Sequence, residues 1–414
     1  MNKPRIAILH YAAPPTIGGV ETTIAAHARL FADHGYNVEV VAGRGEGFDP
    51  RVPVHIIAHA GSSSARVLEV NAELARGIVS ERFHHLVREL HGELLGLADP
   101  PGARLCLIVH NVLSLHKNLA LTAALKLLAD SGRGEIIAWC HDFAWSDPQY
   151  AGEVHAGYPW DLIRVPWPGV QYVVVSAERQ EELGKLWGIS GNIRIVPPGL
   201  DPFAFLGVSS QMARWARDLA LLDAAPLLLL PARLTRRKNA EYAIEITAAL
   251  RDQGWPAKLV VSGPPGPHNP TNAAYVEQLR SLREMRGLEE AVIFLHEFGT
   301  VDDAALRDLF LLSDVLVFPS EREGFGIPIL EAGLSRLPIF CSDLRPFRES
   351  ALDNAHFLAP GEPPPEAAVQ IAGFLARDPG YRLKKRVLTE YAWERIFSEQ
   401  IEPLVIKPAT SLEQ

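Results

Sequence analysis

At 414 residues and 45.5 kDa the chain is long for one hydrophobic core and comfortable for two. Hydrophobic residues at 48% against 21% charged exclude a disordered chain. With 40 basic against 49 acidic residues, a net charge of −9, nothing in the bulk electrostatics favours nucleic acid or anionic lipid as a partner.

Short apolar runs alternate with amphipathic helical patterns almost throughout, the signature of parallel sheets covered by helices. In the first half the sequence predicts strands over residues 5–9, 38–41, 54–57, 105–109, 135–139, 172–175 and 193–196. Helical patterns fill the gaps, for example over 21–34, 71–97 and 115–129. Val196-Pro-Pro-Gly-Leu-Asp-Pro202 is dense in turn formers and reads as a domain boundary. A second series follows, with strands over 227–230, 258–261, 292–295, 315–318, 338–341 and 356–358, and a last helical pattern over 393–405 with no strand after it. The start of the chain, Met1-Asn-Lys-Pro-Arg-Ile, enters a strand without a signal-peptide core, and no run approaches the about 20 apolar residues that span a bilayer. Cys106, Cys140 and Cys341 lack metal spacing and read as buried thiols. A cytoplasmic protein is expected, with peripheral contact at the inner membrane face left open.

The motifs fall in strand-to-helix loops, where open α/β sheets bind ligands. Pro14-Pro-Thr-Ile-Gly-Gly-Val-Glu21 follows the first strand, and Gly18 and Gly19 let the backbone approach a phosphate; a plain helix-capping turn fits them too. The G-x-G-x-x-G fingerprint is missing, which disfavours hydride transfer. His141-Asp142 follows the fifth strand, with His110-Asn111 in the same place after another. A His there exchanges hydrogen bonds with a hydroxyl, and Asp142 could fix its tautomer or bind a second substrate. In the second half, Arg233, Arg236, Arg237 and Lys238 crowd a loop beside a helix N-terminus, where like charges gather at a cost unless an anion offsets it. Arg233 and Lys238 are the candidates to grip a diphosphate and stabilise it as it leaves.

Glu323-Gly-Phe-Gly-Ile-Pro-Ile-Leu-Glu331 follows a buried strand, with Pro328 suited to the first position of a helix. That helix N-terminus suits an anion, whereas Glu323 and Glu331 suit sugar hydroxyls; together they make the chemistry of a nucleotide-sugar site.

Taken together, Gly18-Gly19-Val20-Glu21, His141-Asp142, Pro198-Gly-Leu-Asp201, Arg233, Lys238 and the E-x7-E run from Glu323 to Glu331 resemble the family 4 retaining glycosyltransferases, among the group 1 glycosyl transferases, over nearly the whole chain. The resemblance implies an α/β GT-B fold, two Rossmann-like doubly wound parallel-sheet domains facing a central cleft. Residues 1–198 would bind the acceptor and 199–389 the donor, with a C-terminal helix at about 390–414 crossing between them. It implies that Gly18 and Gly19 approach the donor phosphates and that Arg233 with Lys238 bind the diphosphate. Glu323 would contact the donor sugar, Glu331 the ribose, and His141 the sugar from the first domain, while Gly324, Phe325, Gly326 and Ile327 form the donor loop. No metal or other cofactor is implied. Two departures stand out: Ala332-Gly-Leu-Ser-Arg-Leu-Pro338 in a helix-packing run, and Pro197-Pro198 where many members carry an Asn.

The expected activity is retaining transfer of a hexose from a GDP-mannose or UDP-glucose type donor, with a lean to GDP-mannose, onto a hydroxyl of a glycan, lipid or small metabolite. Loops 61–65 and 144–168 would set the acceptor; Asp142 and Trp145 are candidates to touch it, and Trp145, Trp160 and Trp167 suit either sugar stacking or ordinary loop packing. No carboxylate pair of the double-displacement kind is evident, so positioning and electrostatic stabilisation are the expected means. A nucleotide-sugar epimerase, a phosphorylase and a non-catalytic sugar-nucleotide-binding protein are the alternatives.

Overall fold

The structure, a computed structural model, describes residues 3–16, 18–98, 104–150, 152–188, 193–266 and 271–406. The chain divides into two compact units, Met1–Leu200 with Tyr391–Gln414, and Asp201–Glu390. Each is a parallel sheet whose inner strands are largely buried between helices on both faces.

The first unit carries β1 (Arg5–His10), β2 (Val38–Ala42), β3 (Val54–Ile56), β4 (Leu105–His110), β5 (Glu135–Cys140), β6 (Gln171–Val174) and β7 (Ile193–Ile195). The second carries β8 (Leu227–Leu230), β9 (Lys258–Val261), β10 (Val292–Phe294), β11 (Val315–Phe318), β12 (Ile339–Ser342) and β13 (His356–Leu358). Strand order is β3-β2-β1-β4-β5-β6-β7 in one sheet and β10-β9-β8-β11-β12-β13 in the other, with every pairing parallel. Both orders are the doubly wound Rossmann-like arrangement, and two such units in one chain are the content of the GT-B class. The order reverses between β1 and β4 in the first unit and between β8 and β11 in the second, so a crevice opens beyond the carboxyl ends of those strands.

Three helical expectations are corrected. The pattern over 71–97 is two helices, Ala65–Leu74 and Glu81–Ala98. Gly77, in the left-handed region at φ 76°, ends the first, and Ser80 accepts from Phe83 N at the start of the second. Pro328 is the second and not the first residue of its helix, Ile327–Leu334. The last helical pattern is interrupted: Trp393–Ile396 passes through a π turn at Phe397–Ile401 into Glu402–Ile406. That segment packs within the first unit, where Phe397 meets Phe31 edge-on at 5.0 Å and Tyr36 donates to Glu402 at 2.7 Å. The expected helix ran on to 414, and residues 407–414 lie outside the described residues, as do Ile17 of the glycine loop and Ala151 of loop 144–168. Cys106, Cys140 and Cys341 are buried free thiols.

Candidate active site

In the second unit the loops after β8 and β11 meet at the switch point. The backbone ties them: Glu321 N donates to Arg237 O at 2.8 Å. A 3-10 turn, Arg236–Lys238, ends at Asn239, whose φ of 50° turns the chain into the helix Ala240–Asp252. This turn splits the four cations. Arg236 points away onto Gln278 at 2.7 Å and lies over the Tyr275 ring. Arg237 reaches Glu323 Oε2 at 3.0 Å, and Lys238 bonds to Glu323 Oε1 while lying over the Phe318 ring. Ser320 adds a hydroxyl to Glu323 Oε1 at 3.0 Å. Arg233 is exposed and has no partner among the described residues.

This changes the electrostatic account of the basic loop. The anion that offsets its charge in the free protein is Glu323 itself, so the cluster does not by its own strain demand a phosphate. Burial opposes ionisation of Glu323, but the hydrogen bond and charge of Lys238, with Ser320 and Arg237, outweigh it and hold the carboxyl below its usual range. Burial draws Lys238 down, against the pull of Glu323. Glu331 differs: burial raises its pKa, and no described residue bonds to its carboxylate.

Gly326 caps the helix Ile327–Leu334 at φ 95°, and a Cβ there would lie 2.5 Å from the Phe347 ring, so the loop requires glycine. No side chain caps that helix, which leaves its first N–H groups without a side-chain acceptor. Gly324 is open, and Phe325 and Ile327 are exposed beside it. The loop after β9 contributes Gly263, where a Cβ would meet Ala232 O at 2.5 Å and Arg233 N at 2.6 Å, so this glycine sets how closely the Arg233 backbone is supported.

In the first unit β1, β4 and β5 lie side by side, with Leu9 opposite Val109 and His110 opposite Trp139, so His10, His110 and His141 gather at one edge. His10 Nδ1 donates to His110 O at 2.9 Å, leaving Nε2 3.9 Å from Glu21. His110 Nδ1 lies 3.0 Å from His141 Nε2, and His141 N donates to Asn111 Oδ1 at 2.7 Å. Burial, with His10 beside it, pushes His141 down to about 4. Asp142 does not fix the His141 tautomer, as the sequence suggested it could; Arg179 holds it at 3.4 Å, and His110 is the group on the imidazole. A Cβ on Gly18 would displace the Glu21 carboxylate, whereas one on Gly19 would meet nothing within 4 Å.

Trp167 is buried in the core, and Trp160, also buried, meets the cavity of this unit only at its wall. Trp145 is half-buried under the Arg164 guanidinium at 4.9 Å, with an unpartnered indole N–H. Loops 61–65 and 144–168 contribute to the lining of a cavity of about 360 Å³, with Ser62, Asn71, His116, Lys117, Tyr150 and Glu153 as its polar groups. Lys117 has no ionic partner among the described residues, and His116 is paired to Glu153 at 2.8 Å.

Motif reading does not reach Ser320, Gly263 or His10, and it places Arg237 in the basic cluster without its pairing to Glu323. The one available signal for His10 is that three strands in succession around the switch point end in, or are followed at once by, His.

Residues 212–392, nearly all of the second unit, match the family model described as glycosyl transferases group 1. An uncharacterised glycosyltransferase of Methanocaldococcus jannaschii is 25% identical over 240 residues, 56% of this chain and 58% of its own. A D-inositol 3-phosphate glycosyltransferase of Kineococcus radiotolerans is 29% identical over 208 residues, 47% of this chain and 46% of its own, so the match spans about half of these two relatives. A mannosylglucosylglycerate synthase of Thermotoga maritima is 24% identical over 378 residues, 83% of each chain. These matches support glycosyl transfer as the class of reaction.

Proposed function

We propose that this chain is a retaining, metal-independent hexosyltransferase acting on a nucleotide-diphosphate sugar and a hydroxyl acceptor. The observation that carries the reading is the Lys238–Glu323 ion pair, with Arg233, unpartnered among the described residues, in the same loop, at the switch point of a sheet whose segment matches the group 1 glycosyl transferases. An arriving diphosphate competes with Glu323 for Lys238, and Arg233 completes the grip. Freed oxygens of Glu323 then accept from hydroxyls of the donor sugar, and unpaired Glu331 accepts from the ribose. Gly324 and the uncapped N–H groups after Gly326 let the phosphates close on the backbone. His141 and the cavity of the first unit serve the transferred sugar and the acceptor.

In the reaction the bond from the anomeric carbon to the diphosphate oxygen breaks and its electron pair stays on the diphosphate, where Arg233 and Lys238 stabilise the charge. The acceptor oxygen bonds to the same face of the carbon, and its proton passes to the departing phosphate. Those two cations supply the positive charge that a divalent metal supplies elsewhere. The donor is expected to be GDP-mannose or UDP-glucose. The acceptor is a small polar molecule, in keeping with the inositol phosphate and glycerate in the names of two relatives and with Lys117 in the cavity. Proton NMR of the product in the presence of EDTA tests the reading: the donor's anomeric configuration is kept and the rate is unchanged. Inversion, or loss of turnover on chelation, contradicts it.

A further inference from the structure

This inference rests on reading His141 as the side chain that meets the transferred sugar. His110, fully buried at the end of β4, stacks on His141 with ring centroids 5.3 Å apart, and one hydrogen serves the 3.0 Å contact between His110 Nδ1 and His141 Nε2. Two neutral arrangements are therefore available. If His141 donates from Nε2, His110 must carry its own hydrogen on Nε2, and that atom is buried without a partner among the described residues. If His110 donates from Nδ1, the orphan at its Nε2 is a bare lone pair. An unsatisfied buried N–H is the costlier of the two. A cationic His110 is no third option, because burial, then His141, His27 and His10, draw it well below the usual imidazole range.

We infer that His110 is a positioning residue that holds His141 in the Nδ1–H tautomer, so that His141 presents a hydrogen-bond donor, and not a base, to an oxygen of the transferred sugar. The main chain supports the same placement. Asn111, held at φ 60°, accepts from His141 N, so ring and backbone of His141 are both fixed by the two residues that end β4 and follow it. Nδ1 of His141 is left without a partner among the described residues. A ring whose lone pair is already occupied at Nε2 cannot take the acceptor proton, which leaves that proton to the departing phosphate.

Nitrogen–proton correlation NMR of the full chain with isotope-labelled histidine reads the tautomer directly, with His141 identified by the signal lost in His141→Gln. The expected result at neutral pH is a hydrogen on Nδ1 and a bare Nε2. His110→Phe should shift His141 toward the Nε2–H form and lower turnover about tenfold, the worth of one hydrogen bond at the reacting sugar. His110→Asn, which keeps a donor near the position of Nδ1, should restore both. An Nε2–H His141 in the unmodified chain, or a tautomer indifferent to His110→Phe, overturns the proposal. The NMR readout needs no donor sugar, so an Nδ1–H His141 in a chain that turns over no nucleotide sugar upholds the positioning and removes only the transferase reading.

Discussion

Among single residues, Glu323 and Lys238 bear the most weight, because each is the other's partner until a ligand arrives. Lys238→Ala leaves Glu323 with Arg237 and Ser320, so the fold should survive at a cost of about 1–3 kcal/mol. Donor turnover should fall about 100-fold or more, the scale seen when one donor to a developing oxyanion is lost. Near-normal turnover in this variant, measured as nucleotide release, would remove Lys238 from the mechanism. His27 makes a second prediction. It is fully buried against Trp139 and Trp393, neither ring nitrogen has a partner among the described residues, and burial, with His141 nearby, pushes it down to about 3. Because the folded state takes up its proton later than the unfolded chain, whose His titrates near 6.5, this contribution is intact above 6.5 and is lost as pH falls toward 3. His27→Leu should gain about 1 kcal/mol at neutral pH. It should also remove about 2 kcal/mol of the destabilisation between neutral pH and pH 5, read from urea midpoints at the two values. An identical acid loss in both proteins would contradict the assignment. Glu323, Glu331 and Lys238 are legible from motif and spacing; Arg237 and Ser320 are not, because a 3-10 turn decides which of three consecutive cations faces the carboxylate.

At the scale of elements, all thirteen strands are visible in the sequence, most clearly the inner ones, whose burial on both faces makes them near-continuous apolar runs. The failures lie where a helical pattern conceals a break. The pattern over 71–97 spans two helices, and only Gly77 and Ser80 mark the join. The loop stacking of Trp160 and Trp167 is equally illegible, since an aromatic in a long loop reads the same whether it faces solvent or the core. One element is held by charge: Asp314, at the start of β11, is fully buried and binds Lys385 at 2.6 Å and Lys384 at 2.9 Å, tying the helix Pro379–Glu390 to the sheet. Asp314 also accepts from Leu227 N at 2.8 Å. Asp314→Ala leaves the mostly buried Lys385 ammonium without its counter-charge, with the Ala224 carbonyl as its remaining partner, and should cost about 3–5 kcal/mol, measurable by urea denaturation. A loss below about 1 kcal/mol would show that solvent reaches this clamp.

For the molecule as a whole, the chain folds as two doubly wound units, and the second, in the strand order 3-2-1-4-5-6, places the Arg233–Lys238 loop and the Glu323–Glu331 loop on adjacent strand ends, although about 90 residues separate them in sequence. That juxtaposition is what the chain order of motifs could suggest and only the sheet topology could supply. Among the described residues no helix is long and apolar enough to cross a membrane and no group of His, Cys, Asp or Glu is placed to hold a metal ion. The nucleotide-sugar site is the central claim. Nucleotide release from a panel of UDP-, GDP- and ADP-sugars, first without acceptor and then with small anionic polyols and glycans, tests it most directly. Slow release from one donor, accelerated by one acceptor class, is the predicted result. Isomerisation of the sugar with its diphosphate bond intact, or no turnover of any donor by a chain that folds, would contradict it.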